Sequence, residues 1–600
     1  MYELENISGT LTATPVAVES GKYSCSIRDG LLCSVVLAAC VLIANPTANM
    51  PFMDDFSYTK TALDFERTGH FLYNGWAVEI LGWLVPWGAL FIKLFGFSFT
   101  VMRLSMLPIA MAAVFLFHQI LRRFGVNRQN AVLGALTMSL SPLFLPLAAS
   151  FMNDVPGLFV ILLCIYMCQR AVAAKSDSAA LLWLIFAMVL NVGGGTVRQI
   201  AWLGSLVMVP STAWLMRERR GMKIAGVLLF GCSLIGILAC LHWFNEQPYS
   251  VPEHVFVRPI QVKMLVHLAA QLLKTFLCLL LVIFPVTVAW LPTAHRLNRQ
   301  ARLRVAGAMV LLALLAIILN RAGVIDGWVM PWLNPLLAEQ WNLMPGMQSV
   351  TPVAVTIIRI AISLLVIAPA LTLLEQVAIQ KRNKLDSFIK PSSLWKELAW
   401  ILGPFSLSYV LLLAPRGTFD IIYDRYVLGM VPTAIIIMLK LYQEKSSMKL
   451  STVSLATLFV FTVFSIGGTH DYFAELRAIV TTIQMVQSSA VPEKSIQAGL
   501  TRLGWTHDGW TQIQNGGHIN DSRIQIPYGA YIPYIPDLNI PPGCRSWFAS
   551  STPTINPKYF VTSSSLSCFA GSKYPPVHYT AWLPPFHRAL YVQKLRNSSN

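Results

Sequence analysis

The sequence predicts a polytopic α-helical membrane protein with about 13 transmembrane helices, interfacial helices in the first outer loop, and a C-terminal extracytoplasmic mixed α/β domain. Hydrophobic residues make up 55% of the 600 residues and charged residues only 12%, which is about half the charged share of a soluble domain. Apolar stretches of about 20 residues with few charges recur along the chain, and each is long enough to cross ~30 Å of hydrocarbon as a helix.

These stretches share low charge and sufficient length. They lie near 30–48, 99–121, 130–148, 156–174, 178–195, 199–216, 223–242, 266–291, 305–322, 353–379, 397–414, 426–441 and 450–467. The first follows a polar tail that is too long for a cleaved leader, so we expect an uncleaved first span with the tail inside.

One apolar run, at 75–96, sets the orientation of the rest. It contains Glu79, Pro86 and Lys93, and we expect it to lie along the outer surface rather than to cross the membrane. With that choice the basic groups between spans fall on the cytoplasmic side, as the positive-inside bias favours. These groups are Arg122/Arg123/Arg128, Arg170/Lys175, Arg217/Arg219/Arg220/Lys223, Arg296/Arg299/Arg302/Arg304, Lys381/Arg382/Lys384 and Lys440/Lys445/Lys449.

The net charge of +17 therefore reflects membrane topology, and the scattered groups do not indicate nucleic-acid binding. The predicted organisation is a cytoplasmic tail at 1–29, a transmembrane domain at 30–467 with its first outer loop at 49–98, and an extracytoplasmic domain at 468–600. An amphipathic stretch at 470–487 leads into strand-like pieces that begin at Tyr559 and His578. Cys544 and Cys568 share this polar region, where a disulfide between them is left open.

The chemistry-bearing candidates collect on the outer face. Asp54 and Asp55 lie in the first outer loop, and Asp154 lies in the turn before the fourth span. The arginines that share this face are Arg198, Arg258, Arg416 and Arg425. A carboxylate can take the proton of an attacking hydroxyl or amine, and cations stabilise a departing phosphate.

Each candidate also has a structural interpretation. The acidic pair is also typical of a solvated helix cap, and Asp154 of a helix start. Arg198 follows three glycines, where an arginine can extend its side chain to the membrane interface. Arg425 is adjacent to Asp424, with which it can form a local pair.

The order of these elements resembles the GT-C membrane glycosyltransferases, in particular the protein O-mannosyltransferase and lipid A aminoarabinose transferase group. The resemblance covers roughly residues 30 to 440 and includes the acidic pair followed by Tyr58, and Arg103 at the start of the second span. Two later elements also match, at 150–156 around Asp154 and at 423–426 around Arg425, and Arg198 matches a basic position of some members.

The resemblance implies transfer of a sugar from a polyprenyl-phosphate donor to a protein, lipid or surface-polymer acceptor, with inversion at the anomeric carbon. Asp54, or else Asp55, would be the base. Asp154 and Tyr58 would orient the acceptor or the base, and Arg198 and Arg425 would hold the donor phosphate. Some members bind a divalent metal, but the sequence shows no ligand cluster for one, so no cofactor is assigned. The expected location is a bacterial cytoplasmic membrane, with the N-terminus cytoplasmic and the C-terminal domain outside.

Two other function classes remain open. Many spans and broken helices are also typical of secondary transporters and lipid flippases, although the sequence shows no related halves. A non-catalytic scaffold of the same fold is the third hypothesis.

Overall fold

The computed structural model of the chain is mostly helical, and its long helices are apolar. The structure describes residues 20–74, 76, 78–248, 250, 262–321, 353–383, 393–419, 422–506, 558–565 and 569–595. Arg258, Cys544 and Cys568 lie outside the described residues.

The described residues form 19 α-helices, numbered here in chain order. They are α1 (Ser20–Ile43), α2 (Asp55–Thr68), α3 (Leu84–Phe95), α4 (Phe99–Ser105), α5 (Leu107–Arg123), α6 (Arg128–Ser139), α7 (Phe144–Ala148), α8 (Asp154–Val172), α9 (Asp177–Gly194), α10 (Val209–Leu215), α11 (Met222–Asn245), α12 (Val262–Val282), α13 (Phe284–Thr287), α14 (Arg299–Arg321), α15 (Val353–Asn383), α16 (Ser393–Phe419), α17 (Val431–Lys445), α18 (Thr452–Gln487) and α19 (Leu500–Thr506).

Within the described residues, ten helical segments are long and apolar enough to cross a membrane. They are Ser26–Ile43, Phe99–Arg123, Asp154–Val172, Asp177–Val197, Met222–Asn245, Met264–Val282, Arg299–Ile318, Ile357–Ile379, Ser393–Thr418 and Thr452–Gln487. The chain is therefore an integral, multi-pass membrane protein.

Three of the predicted spans, near 130–148, 199–216 and 426–441, lie within the described residues but form no helical segment long enough to cross a membrane. The first consists of α6 and α7, and the third consists of a 3₁₀ turn followed by the 15-residue α17. Pro142 follows α6 and Pro432 lies in the first turn of α17, and a proline lacks the N–H that continues a helix.

The second of these stretches, 199–216, changes its helix geometry twice and is stabilised by a side chain of the neighbouring helix α9. A 3₁₀ turn at Gln199–Trp202 is followed by a π turn at Gly204–Met208 and then by α10. The amide of Asn191 on α9 donates to the Ala201 carbonyl at 3.0 Å and accepts the Ser205 N–H at 2.7 Å. Broken helices are tolerated at membrane depth where a partner satisfies the freed backbone groups in this way.

The run at 75–96 does not form a helix of spanning length. Among the described residues of this run only α3, with 12 residues, is a helix, and it packs against α2, which precedes it in the chain. A 12-residue helix is about 18 Å long, so it is too short to cross ~30 Å of hydrocarbon.

Polar contacts are found at both ends of the helical bundle. At one end Asp29 of α1 pairs with Arg128 at 2.6 Å, and Arg219 donates to the carbonyls of Val172 and Ala174 at 3.1 and 3.0 Å. The acidic pair lies at the other end, beyond the last residue of α1. The length of α1 thus separates the basic loops from the candidate site.

Helix α18 joins the bundle to the C-terminal region without interruption. It has 36 residues and is about 54 Å long, so it extends well beyond ~30 Å of hydrocarbon. The predicted domain boundary at 468 falls in the middle of this helix, and the predicted amphipathic stretch at 470–487 is its second half.

A small sheet follows α18 in the chain. Its strands are β1 (Ile496–Gln497), β2 (Tyr559–Thr562), β3 (Phe569–Gly571), β4 (Val577–Thr580) and β5 (His587–Leu595). The central strand β5 pairs antiparallel with β2, β3 and β4, while β1 pairs parallel with β2. The strands predicted to begin at Tyr559 and near His578 correspond to β2 and β4.

The β4–β5 hairpin is attached to α18 through one carboxylate. The buried Asp471 accepts the backbone N–H groups of Trp582 and Leu583 at 2.6 and 2.9 Å. The ring of the adjacent His470 stacks on Trp582 with centroids 4.0 Å apart.

Replacement of this carboxylate is expected to loosen the hairpin. Asp471→Ala leaves two backbone donors without their acceptor, at a cost of about 1–3 kcal/mol. Limited proteolysis of the detergent-solubilised protein should cleave the hairpin faster than in wild type, whereas Asp177→Ala, at an exposed position, serves as the control. Equal cleavage rates for Asp471→Ala and wild type would contradict this role.

Candidate active site

Asp54 is held between a tryptophan and an arginine. It precedes the first residue of α2, and its Oδ1 accepts from the indole Nε1 of Trp76 at 3.2 Å. Its Oδ2 pairs with Arg425 at 3.1 Å, and the two side chains are 21% and 13% exposed. The pair joins the loop that follows α1 to the segment before α17, and the Asp54 carboxylate remains accessible.

Asp55 points the other way, into the protein. It is 1% exposed, and its Oδ1 accepts the Phe52 backbone N–H at 2.6 Å. Burial raises the pKa of Asp55 from 3.8 to about 7, while the charge of Arg103 and the backbone N–H groups of Phe52 and Phe151 oppose the rise. Asp54 and Asp55 thus have different surroundings. Asp55 stabilises the loop before α2 by accepting its backbone N–H from a buried position.

The raised pKa of Asp55 predicts a pH-dependent stability. Between about pH 4 and 7 the folded protein keeps a proton on Asp55 that the unfolded chain has lost, so stability falls as pH rises through this window and then levels off. Because each pKa unit corresponds to 1.36 kcal/mol, the loss is about 4 kcal/mol.

Asp55→Asn imitates the protonated carboxyl and is expected to remove this dependence. Melting temperatures of the purified protein from pH 4.5 to 8 measure the effect, with Asp177→Asn as the control. An unchanged slope in the Asp55→Asn variant would contradict the assignment.

Tyr58 and Glu79 form a second polar contact beside Asp54. The buried Tyr58 hydroxyl donates to Glu79 at 3.2 Å. Burial raises the pKa of Tyr58 well above 10, and the charges of Glu79 and Asp54 raise it further. Tyr58 therefore remains a neutral donor, which fixes the position of the Glu79 carboxylate next to the site.

Asp154 begins α8 and pairs with Arg198. Asp154 is 2% exposed, and its Oδ2 has no hydrogen-bond partner among the described residues. The side chain of Arg198 crosses α8 at Gly157, where an added Cβ would lie 3.0 Å from Arg198 atoms. Asn153 also accepts from Arg198, at 3.4 Å, so two residues at the start of α8 orient this guanidinium.

The arginines surround one aromatic ring, that of Tyr426. The guanidinium carbons of Arg198, Arg416 and Arg425 lie 5.1, 4.9 and 5.9 Å from its centroid. The Tyr426 carbonyl accepts from the Tyr409 hydroxyl at 2.7 Å, which ties this segment to α16. Cation–π contacts of this kind hold guanidinium groups close together while their N–H donors stay available at the edges.

The expected local pair between Asp424 and the Arg425 guanidinium is not what holds that guanidinium. Asp424 Oδ1 accepts the backbone N–H of Arg425 at 2.7 Å, whereas the guanidinium pairs with Asp54 across 371 residues of sequence. Its Nε is buried without a hydrogen-bond partner among the described residues, so Arg425 retains donor capacity.

The structure brings five of the six predicted site residues into one continuous group. Asp54 contacts Arg425, Arg425 shares Tyr426 with Arg198, and Arg198 contacts Asp154. Tyr58 lies close enough to interact electrostatically with this group, and Asp55 faces away from it. The sequence places Arg416 on the same face without a role, and it assigns no site role to Glu79, Trp76, Asn153 or Tyr426.

Metal ligation does not fit these side chains. Across the described residues, no group of three or more His, Cys, Asp and Glu side chains is arranged to hold a metal ion. The carboxylates of Asp54 and Asp154 are each paired with an arginine instead. The charged groups of the site among the described residues are carboxylates and guanidinium groups.

Comparison with known proteins yields structural likenesses only. No protein-family model matches the chain, and no curated protein matches it. ArnT from Cupriavidus metallidurans bound to undecaprenyl phosphate is 14% identical over 81% of this chain and 84% of that chain, with a TM-score of 0.38. The oligosaccharyltransferase AglB from Archaeoglobus fulgidus, in complex with an inhibitory peptide and a dolichol-phosphate, is 10% identical over 79% and 59%, with a TM-score of 0.36.

The S. cerevisiae protein O-mannosyltransferase Pmt1-Pmt2 complex bound to the sugar donor is 16% identical over 42% of this chain, with a TM-score of 0.31. The match spans 37% of the length of that yeast chain. These proteins are GT-C glycosyltransferases, the superfamily that the sequence resembles. Because all three TM-scores lie below 0.5, substrate and mechanism must be argued from the site itself.

Proposed function

We propose that the protein is a membrane glycosyltransferase that moves a sugar from a polyprenyl-phosphate donor to a protein, lipid or surface-polymer acceptor on the extracytoplasmic face. The observation that carries this proposal is the contact between Asp54 and Arg425, with Arg198 on the same Tyr426 ring. A base and two phosphate-binding cations thus meet at one end of an apolar helical bundle.

Asp54 is the proposed base. Its carboxylate is one-fifth exposed and faces the arginines, whereas Asp55 is buried against backbone amides. A general base must reach the proton that it abstracts. Although a pKa of about 7 would suit a base, the burial of Asp55 favours a supporting role.

Arg425 and Arg198 are the proposed phosphate ligands, with Arg416 as a third cation around Tyr426. Guanidinium groups form bidentate, charge-assisted hydrogen bonds with phosphate. A guanidinium has five N–H donors, and Arg425 uses Nη1 on Asp54, so it can contact a phosphate while it keeps this bond. The apolar exposed faces of the surrounding helices suit a donor whose prenyl chain stays in the bilayer.

Asp154 and Tyr58 are proposed to orient the reacting groups. Asp154, whose side chain is buried, acts through Arg198, with which it pairs, and Tyr58 holds Glu79 beside the base.

In the proposed reaction an acceptor O–H or N–H attacks the anomeric carbon from the face opposite the phosphate. The new bond forms as the C–O bond to phosphate breaks, and its electron pair leaves with the polyprenyl phosphate. Asp54 takes the acceptor proton, and Arg425 and Arg198 stabilise the charge that develops on the phosphate. A single displacement of this kind inverts the anomeric centre.

The orientation belongs to the same proposal. The end of the bundle with Asp29, Arg128 and Arg219 would face the cytoplasm, and the acidic pair and the C-terminal sheet would lie outside. A bacterial cytoplasmic membrane is the proposed setting.

The test uses the full-length protein in liposomes with a panel of undecaprenyl-phosphate-linked hexoses and pentoses, together with membranes of source cells that lack this protein as acceptor. We expect release of undecaprenyl phosphate and a new glycosylated product. Uptake of the panel compounds into the liposomes without product would favour a transporter or flippase, and neither release nor uptake would favour a scaffold.

A further inference from the structure

Residues 45–53, here called the entry segment, connect α1 to the acidic pair without forming a helix or a strand. Its backbone carbonyls need partners other than a neighbouring strand. Arg477 on α18 supplies the first set, since its Nη1 donates to the carbonyls of Asn45 and Thr47 at 3.0 and 2.8 Å.

Arg103 on α4 supplies the second set from the other side. Its Nη1 donates to the carbonyls of Pro46 and Ala48 at 3.0 and 2.8 Å, and its Nη2 donates to the carbonyl of Met50. The guanidinium of Arg103 is buried and lies 4.9 Å from the ring centroid of Phe473, also on α18.

The carbonyls of the entry segment therefore bond alternately to the two arginines. Carbonyls 45 and 47 point to Arg477, while carbonyls 46, 48 and 50 point to Arg103. Alternate carbonyls thus bond to different guanidinium groups, and one arginine lies on each side of the entry segment. Charge-assisted bonds to both sides restrict sideways movement of the chain.

The last part of the entry segment is packed against α18 and strained. Phe52 contacts Tyr472 and Phe473 with ring centroids 4.5 and 5.6 Å apart. Met53 has a φ of 53°, in the left-handed region that a residue with a side chain rarely adopts. Such strain persists only where the surroundings determine the conformation, and Asp54 follows Met53 directly.

We infer that Arg477 is a positioning residue that, together with Arg103, holds the entry segment so that Asp54 stays against Arg425. This inference rests on the proposed role of Asp54 as the base. Arg477 is half-buried and contacts carbonyls of the entry segment rather than members of the Tyr426 cluster, so it acts through the backbone. Because α18 also holds the β4–β5 hairpin through Asp471, one helix supports both the base and the C-terminal sheet.

The first experimental arm does not depend on activity. Hydrogen–deuterium exchange of the full-length detergent-solubilised protein follows peptides that cover residues 45–58, in which the N–H groups of Phe52, Asp55 and Ser57 are hydrogen-bonded. Arg477→Met should speed exchange there by at least about fivefold. Arg477→Lys keeps a cation that can reach one carbonyl, so it should give an intermediate rate.

Arg219→Met is the matched control, since Arg219 also donates to two carbonyls but at the other end of the bundle. It should leave the exchange of residues 45–58 unchanged. Unchanged exchange in Arg477→Met would overturn the inference, whatever the activity of the variant.

The second arm measures release of undecaprenyl phosphate from the same donor panel. A base displaced by about 1 Å lowers turnover by up to ~10²-fold, whereas the KM for the donor should stay close to the wild-type value because the phosphate ligands are intact. Arg477→Lys should recover part of the turnover. Faster exchange with full turnover would overturn the positioning role.

The two arms separate this inference from the proposed function. If wild type releases no undecaprenyl phosphate, the proposed function fails, and the exchange arm still decides whether Arg477 holds the entry segment.

Discussion

Asp54→Asn is expected to lower sugar transfer by about 10²–10⁴-fold, the usual contribution of a general base. The amide keeps the shape of the carboxylate and can still accept from Trp76, but it cannot take a proton. The protein should remain folded and inserted, and release of undecaprenyl phosphate from the donor panel measures the effect.

The neighbouring carboxylate is the matched control for this experiment. Asp55→Asn should retain most of the transfer at pH 7, because Asp55 accepts the Phe52 backbone N–H and pairs with neither Arg425 nor Arg198. If Asp55 were the base, the wild-type rate would rise as pH passes through its pKa of about 7, and Asp55→Asn would be inactive. Full transfer by Asp54→Asn would contradict the assignment of the base, and full transfer by both variants would exclude the acidic pair as the site.

Arg425→Met is expected to have the second large effect. Loss of one preorganised donor to a developing negative charge typically lowers turnover by about 10²–10³-fold. The variant removes a proposed phosphate ligand and leaves the Asp54 carboxylate without its cation. Binding of undecaprenyl phosphate should therefore weaken as well. Isothermal titration with undecaprenyl phosphate in detergent and the release assay measure the two effects separately.

Arg304→Met is a suitable control, because Arg304 also forms an ion pair with a carboxylate, Glu375, at 2.6 Å. That pair is outside the site, and its loss should change neither binding nor turnover. Wild-type affinity for undecaprenyl phosphate in Arg425→Met would show that this arginine does not hold the phosphate.

The sequence could predict the membrane-protein class and the grouping of the charged site residues. Apolar length identifies a span directly, and the distribution of lysine and arginine gives sidedness. If the run at 75–96 lies along the outer surface, Asp54, Asp154, Arg198 and Arg425 share one face. The structure adds that they are in contact as one group, which sidedness alone does not require.

The sequence could not separate the roles of Asp54 and Asp55. Adjacent residues at the start of a helix point in directions that differ by about 100°, and only the position of Arg425 decides which carboxylate faces the arginines. Glu79 was missed for a related reason. It interrupts an apolar, tryptophan-rich run. A charged residue there argues against a membrane span, but it does not indicate that Glu79 is a partner of Tyr58.

Hydropathy could not predict the interruptions in these spans either. The stretch at 199–216 is apolar throughout, yet Asn191 of a neighbouring helix satisfies the backbone where the helix changes from 3₁₀ to π geometry. Contacts between distant segments decide such breaks. The bonds of Arg477 to the entry segment are another case, since they join residues more than 400 positions apart in sequence.

The most direct test of the central claim is an experimental structure of the full-length protein with undecaprenyl phosphate. We expect the phosphate to lie within hydrogen-bonding distance of Arg425 and Arg198, next to Asp54 and at the Tyr426 ring, with the prenyl chain along the apolar helices. A phosphate bound elsewhere, for example at the end of the bundle near Arg128 and Arg219, would contradict the proposed site.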